Sequence, residues 1–268
     1  MAVTENLKIG FIGAGNMGRA LISALLEKMP SENISVFDTD PGKLSSLPRG
    51  INIKKTEIET AASCDIIILA VKPFAVAQVL EKIKSVTAPV VVSVAAGVTI
   101  AAMSRVLGEG RPVIRVMPNT PLAAGEGMSV LCASGTTPED KLNEAAEIFR
   151  AAGRVMILPE TLMDAVTGLS GSGPAFVFTF IQALTDGGVK AGIPRQAALE
   201  LAAQTVLGAA KMVLHGMNDP MSLRGMVTSP GGTTIEGVHV LESAGFSGTV
   251  MSAVEAAAAK SKKIGEGK

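Results

Sequence analysis

The stretch Lys8-Ile-Gly-Phe-Ile-Gly-Ala-Gly-Asn-Met-Gly18 decides the fold. Lys8 to Ile12 reads as a short buried strand, and Met17 to Lys28 carries the apolar spacing of a helix. Between them stand Gly13, Gly15 and Gly18, in the spacing of a dinucleotide-binding turn. Gly13 makes the tight turn, Gly15 lets a pyrophosphate approach the backbone, and Gly18 lets the helix lie close on the strand. The helix N-terminus then receives the negative charge. Gly13, Ala14, Gly15, Asn16, Met17 and Gly18 are therefore the expected cofactor contacts.

Outward from this turn, β-rich runs alternate with helical patterns. Strands are expected at Ile34 to Phe37, Ile66 to Val71, Val90 to Val94 and Val113 to Met117, with helices at Phe74 to Ile83 and Ile100 to Leu107. Two further strands are expected at Gly127 to Leu131 and Arg154 to Ile157, around a helix from Pro138 to Phe149 whose start Thr137 marks. Sequential crossovers of this kind imply a mostly parallel sheet. After Thr161 the β-rich runs stop, and helices are expected at Leu162 to Val189, Arg195 to Leu214, Met221 to Met226, Thr234 to Ala244 and Ser247 to Lys260. The first of these should bend near Gly171-Ser-Gly-Pro174, because proline lacks a donor and clashes with the preceding turn. The reading is an α/β, Rossmann-type doubly wound domain over residues 1–161 and an all-α domain over residues 162–268, with a loose tail from Ser261.

The helical part is rich in alanine and glycine and would make a thin core alone; a homodimer that intertwines these helices solves the problem. Lys+Arg and Asp+Glu both count 24, so no net charge draws in nucleic acid or an anionic membrane. Cys64 and Cys132 are too few for a disulfide scaffold, and His215 and His239 lack zinc-site spacing, so no metal is expected. The uncharged stretch Ala165 to Thr185 has transmembrane length, but its glycines, proline and acidic flanks read as a buried helix. The N-terminus shows no basic region followed by a long apolar run, which reads as cytoplasmic.

Asp38 ends the second strand, 20 residues beyond Gly18. Such a carboxylate accepts both adenosine-ribose hydroxyls and repels a 2′-phosphate, which favours NAD(H) over NADP(H). Equally, Asp38 or Asp40 starts a helix near Pro41 as its cap. A nicotinamide cofactor follows, but not its phosphate preference. Three strand exits face one crevice in a parallel sheet: Val71-Lys-Pro73, Ala95-Ala-Gly97 and Met117-Pro-Asn-Thr-Pro121. Small residues at Ala95 to Gly97 would admit the nicotinamide ribose. Lys72 touches phosphate or ribose, or is an ordinary solvated lysine. Asn119 holds the nicotinamide amide or a substrate edge, or forms the turn.

Late in the chain, Val227-Thr-Ser-Pro-Gly-Gly-Thr-Thr-Ile235 offers backbone amides at Gly231 and Gly232 and hydroxyls at Ser229, Thr233 and Thr234. That is a cradle for a small carboxylate beside a weak hydrogen-bond donor. The bland alternative is that Thr233 and Thr234 cap the helix that follows.

Taken in order, Phe11 to Gly18, Ala70-Val-Lys-Pro73, Ser93 to Gly97, Arg115 to Pro121, Asp164 to Ala175, Gly188 to Gly192 and Ser229-Pro-Gly-Gly-Thr-Thr-Ile235 resemble the pyrroline-5-carboxylate reductase family. The resemblance implies a Rossmann domain followed by an α-helical dimerisation domain, and homodimers that sometimes assemble into decamers. It implies an active site at the dimer interface and reduction of (S)-1-pyrroline-5-carboxylate to L-proline by NADH or NADPH, the last step of proline biosynthesis. It also implies that Ser229, Gly232 and Thr233 hold the substrate carboxylate, that Thr234 faces the imine nitrogen, and that Ala70, Val71, Lys72, Pro73 and Ala95 join the glycine-rich turn around the cofactor. A cyclic imine is basic enough to draw its proton from water near neutral pH, so no histidine or lysine acid is obligatory.

Two departures stand out. Family members often carry a tyrosine after the Gly-Pro-Ala segment, whereas Phe176 stands here and the chain has no tyrosine. Many members favour NADPH and place small polar or basic residues after the second strand; here Phe37-Asp-Thr-Asp40 follows, with Lys43 the nearest cation. Asp164 and Lys190 have structural reasons at the two ends of one helix and fall outside the site. Two rival functions remain at this stage. A hydroxyacid dehydrogenase would recruit Lys190 or Lys211 and leave the cradle unexplained, and a non-catalytic cofactor-binding protein would leave it unused.

Overall fold

The computed structural model describes residues 7–216 and 219–266. Two compact units divide the chain: Gly173–Glu255 forms one, and the remaining described residues, including the end of the last helix, form the other. The β-rich pattern ends near Thr161, but the first unit continues to Ser172.

In chain order the first unit contains β1 (Ile9–Ile12), α1 (Asn16–Leu26), β2 (Ile34–Phe37), α2 (Pro41–Ser45), β3 (Asn52–Ile53), α3 (Glu57–Ala62), β4 (Ile66–Leu69), α4 (Pro73–Ile83), β5 (Val90–Ser93) and α5 (Ile100–Leu107). It continues with β6 (Val113–Met117), β7 (Gly127–Ala133), α6 (Glu139–Arg150), β8 (Gly153–Ile157) and α7 (Met163–Val166). The strands form one sheet in the order β3-β2-β1-β4-β5-β6-β7-β8. Every described pairing is parallel except β6 with β7. The sheet reverses its winding between β1 and β4, which puts a ligand crevice at their carboxyl ends.

The sequence of β4 shows why the sheet is covered on both faces. Ile66 and Ile68 join one apolar cluster with Leu21, Ile22 and Leu25 of α1 and Phe149 of α6. Ile67 and Leu69 join the other with Val76 and Leu80 of α4 and Met103 of α5. All four β4 side chains are fully buried, and each contributes about 1.5–3 kcal/mol of transfer free energy. The helix starts are local: Thr56 accepts the Glu59 amide at α3, and Thr99 accepts the Ala102 amide at α5. Helix α6 departs from expectation. Pro138 is its cap, and Thr137 instead bonds the Val113 carbonyl and the Ser134 hydroxyl, fastening the loop to the sheet edge.

The expected long helix from Leu162 is broken twice. Helix α7 widens into a π turn at Thr167–Gly171, where the Ser172 amide donates to the Thr167 carbonyl at 2.8 Å. Helix α8 (Gly173–Lys190) then starts afresh, with Pro174 in its first turn, where the missing donor costs nothing.

The second unit holds α8, α9 (Arg195–Leu214), α10 (Pro220–Val227), α11 (Thr233–Ser243) and the first part of α12 (Phe246–Gly265). Helices α8 and α9 meet where Gly188 faces Ala198, and Phe180 stacks obliquely on Phe246 at 5.8 Å. Among its described residues only Thr185, Ala198 and Ala202 are buried. Leu201, Met226, Val240 and Met251 are more than half exposed. The described residues of this unit form no buried apolar core of their own. Helix α9 is long and apolar enough to cross a membrane by length and composition. The stretch Ala165 to Thr185 is not one helix at all.

The tail departs most from expectation. Helix α12 continues to Gly265, and its Ser261 is buried, donating to the Asp164 carboxylate at 2.7 Å. Asp164 therefore has specific partners as well as a favourable place near a helix start.

Candidate functional site

The glycine-rich turn is built to admit a phosphate group. Gly13 has φ +106°, and a Cβ there would lie 2.5 Å from the Ala70 carbonyl oxygen. A Cβ on Gly18 would strike the Gly13 carbonyl. A Cβ on Gly15, by contrast, meets nothing within 4 Å. Gly13 and Gly18 serve the fold; Gly15 leaves open space at the start of α1. Gly15 is also the cap of α1 and supplies no side-chain acceptor, so the first amides of the helix face that space unpaired. Ala14 and Gly18 are buried, Met17 is half-buried and Asn16 is exposed. These residues fit the pyrophosphate of a dinucleotide.

Asp38 is latched to this turn. One carboxylate oxygen accepts the Ala14 amide at 2.7 Å; the other accepts the Asp40 amide at 2.9 Å and lies 3.4 Å from the Lys43 ammonium. Burial alone would raise its pKa, but the Ala14 and Asp40 amides and Lys43 outweigh burial and hold it below the ordinary carboxylate value. The cap of α2 is Asp40, which accepts the Gly42 amide; Asp38 does not cap that helix.

Because β1, β4, β5 and β6 run parallel, their exits lie along one edge. Ala70 and Val71 are half-buried beside Gly13, Lys72 is the exposed cap of α4, and Pro73 opens that helix. Ala95 is buried, its amide bonded to the Ser93 hydroxyl at 3.3 Å. Asn119 spends its amide on the chain itself: Oδ1 accepts the Met128 amide at 2.8 Å, and Nδ2 donates to the Ser170 carbonyl at 3.2 Å. It thereby ties the β6 exit to the π turn, where a Cβ on Gly171 would strike Met117. The glycines of that segment are the sequence sign of this close approach; the π geometry has no local sequence signal.

The C-terminal cradle stands in the second unit. Gly231 has φ +67°, and the Gly232 amide donates to the Ser229 carbonyl at 3.0 Å, closing a turn. A Cβ on Gly232 would occupy the place of the Ser229 hydroxyl. Gly232 is also the cap of α11 and has no side chain to offer it. Thr233 and Thr234 are therefore the first helical residues, not caps. The hydroxyls of Ser229, Thr233 and Thr234 have no hydrogen-bond partner among the described residues, and all three side chains are exposed. Unpaired amides, three free hydroxyls and the positive end of a helix make an anion site of carboxylate size. The nearby Thr228 hydroxyl is spent on the Arg224 carbonyl.

Comparison with known proteins matches this layout. A family model described as pyrroline-5-carboxylate reductase dimerisation matches residues 160–264, and one described as NADP oxidoreductase, coenzyme F420-dependent, matches residues 8–97. The pyrroline-5-carboxylate reductase of Methanosarcina acetivorans is 46% identical, over 98% of this chain and 99% of its own. That of Escherichia coli K12 is 43% identical, over 96% and 98%. The crystal structure of Plasmodium falciparum pyrroline carboxylate reductase with NADP bound superposes with a TM-score of 0.89 at 35% identity, covering 97% of this chain and 99% of that one.

Proposed function

The chain belongs to the pyrroline-5-carboxylate reductase family, and from that premise we propose how its own residues carry the reaction. It is an NAD(P)H-dependent oxidoreductase that reduces pyrroline-5-carboxylate to proline, the closing step of proline biosynthesis. Its C-terminal helices are a dimerisation region, which accounts for a unit with exposed leucines and methionines and no core.

The observation that carries the site assignment is the group of exposed, unpaired hydroxyls at the start of α11. Ser229 Oγ and the Thr233 amide and hydroxyl donate to the substrate carboxylate; Gly232 contributes space for the Ser229 hydroxyl rather than a donor, its amide being spent on the turn. Thr234 Oγ1 bonds the imine nitrogen and fixes which ring face is presented. When bound, the reduced nicotinamide supplies a hydride to the C=N carbon. The nitrogen gains its proton from solvent, since the Thr234 hydroxyl is too weak an acid to supply it unaided and Phe176 offers no phenol. Asn119 acts by holding the π turn against the β6 exit, without touching substrate.

Asp38, latched to the glycine-rich turn, would hold the adenosine ribose hydroxyls, and its charge would oppose a 2′-phosphate, an opposition that Lys43 would soften. The enzyme accordingly uses both NADH and NADPH, with NADH favoured. Self-association beyond the dimer, up to a decamer, would draw on the exposed apolar helix faces, and α9 spends its apolar surface there instead of in a membrane. Two unpaired buried thiols suit a reducing cytoplasm.

Initial rates with NADH and NADPH, run separately on racemic pyrroline-5-carboxylate at neutral pH, test the reading. Turnover with NADH ahead in kcat/KM supports Asp38 as ribose ligand. Turnover with NADPH ahead removes that role. No turnover from correctly folded oligomer sinks the catalytic assignment.

A further inference from the structure

Arg115 is buried in β6 at 4% exposure, and it is held by two acids. Its guanidinium lies 3.2 Å from Glu160 Oε1 and 3.8 Å from Asp164 Oδ1. Each acid reaches onward. Glu160 Oε1 also accepts the amide of Ile100, the first residue of α5, at 2.8 Å. Asp164 Oδ1 also accepts the Ser261 hydroxyl of α12 at 2.7 Å. One buried cation thus fastens the start of α5 and the end of α12 to the same strand.

The second contact is steric. The loop from Ala95 to Gly97 joins β5 to α5. Gly97 is buried with φ +77°, and a Cβ there would meet the Ile264 side chain at 2.8 Å. Conversely, a Cβ on Gly265 would lie 2.8 Å from the Gly97 carbonyl oxygen. Ser261 is the one buried residue of α12 among those described, so the helix end is held by a polar pin and a close backbone approach, with little apolar burial.

We propose that the last two turns of α12 position the cofactor loop: Ser261, through Asp164 and Arg115, and Gly265, against Gly97, hold Ala95 to Gly97 in the shape that receives the nicotinamide end of the cofactor. They are positioning residues and touch neither substrate nor cofactor. The inference rests on the reading of Ala95 as a wall of the cofactor crevice.

The test uses the full-length enzyme and four variants, with cofactor Kd from nicotinamide fluorescence, KM for each substrate, kcat at saturation and thermal midpoint. Ala95→Leu tests the underlying reading and should abolish cofactor binding. Ser261→Ala should raise cofactor Kd and KM about threefold to tenfold, leaving KM for the imine and kcat at saturating cofactor unchanged. Ser261→Thr keeps the hydroxyl and should restore the wild-type value. Gly265→Ala is the sharper probe. Alanine forms helix more readily than glycine, but its Cβ would press on the Gly97 carbonyl, so the helix end or the loop must shift and the thermal midpoint alone decides nothing. A purely structural role leaves the cofactor Kd untouched whatever the midpoint does; the present inference expects the Kd to rise while KM for the imine stays unchanged. If Ala95→Leu abolishes binding while Ser261→Ala and Gly265→Ala leave Kd unchanged, α12 is a structural helix only. If Ala95→Leu itself binds cofactor normally, the crevice reading falls and takes this inference with it.

Discussion

The Asp38 carboxylate accepts the amide of Ala14 at 2.7 Å, so the end of β2 is hydrogen-bonded to the glycine-rich turn that follows β1. The residue proposed to read the cofactor ribose therefore also holds the glycine-rich turn in shape. On that proposal, cofactor choice and local stability are coupled through one side chain.

Asp38→Asn should weaken NADH binding and lower the ratio of kcat/KM for NADH over NADPH by about tenfold, read from initial rates with each cofactor. It should also change the pH dependence of unfolding. The folded-state pKa of Asp38 lies below its ordinary value, so its stabilising contribution is fully present above that ordinary value. The contribution is lost as pH falls through the lowered folded-state value. Denaturant midpoints measured from neutral to acid pH should show wild type and Asp38→Asn converging toward the acid end; curves that stay parallel throughout would remove the linkage.

Gly15→Ala and Gly13→Ala should separate binding from folding. The Gly15 Cβ enters empty space, so that variant should keep its thermal midpoint within a few degrees and lose cofactor affinity by about tenfold or more. Gly13→Ala meets the Ala70 carbonyl oxygen at a positive φ, and should fold poorly whatever cofactor is present. Equal loss of midpoint in both variants would mean that Gly15 is a packing residue.

The two halves of this molecule were not equally legible. The sheet is legible because β4 and β5 are runs of isoleucine and valine bounded by turns, and because the glycine-rich turn stands directly between a short apolar run and a helical pattern. Strand β3 was missed because Asn52 and Ile53 are too short a run for alternation to register. The sequence pattern ends helix α12 at Lys260 because Ser261-Lys-Lys reads as solvated tail; its continuation is pinned by Asp164, 97 residues away in sequence, which no local pattern encodes. In the site, the free hydroxyls of the cradle followed from composition, but the split role of Gly232, space for Ser229 and a spent amide, appears only in three dimensions. Asn119 was ambiguous for the same reason: its two partners, Met128 and Ser170, lie on separate elements.

The two cysteines should be silent toward thiol reagents in the folded protein. Burial pushes the Cys64 thiol up to about 12, with the nearby Asp65 charge adding to it against the Gly10 amide. Burial likewise pushes Cys132 up to about 11, with Glu160 adding and Arg115 opposing. Because the thiolate is the nucleophile, alkylation at pH 8 should be slow until the chain unfolds and both groups return to ordinary values. Mass spectrometry after a timed iodoacetamide pulse, with and without denaturant, reads this directly; fast native labelling at either position would mean that the structure around it opens locally.

Within the cradle, the proposed roles make different demands on kinetics. Ser229→Ala removes one donor to a carboxylate that is present before and after hydride transfer, so it should raise KM for the imine about tenfold and leave kcat nearly unchanged. Thr234→Ala removes a partner of the imine nitrogen, whose charge and hydrogen bonding change as the C=N bond is reduced. It should lower kcat/KM by about tenfold or more while cofactor Kd stays within twofold. Thr234→Ser retains the hydroxyl and should recover most of the loss. Neither side chain makes a hydrogen bond within the described residues, so both variants should keep the wild-type thermal midpoint, which separates these effects from misfolding. An unchanged KM in Ser229→Ala would remove that residue from the carboxylate clamp, and a large loss of cofactor affinity in Thr234→Ala would move that hydroxyl from the imine to the cofactor.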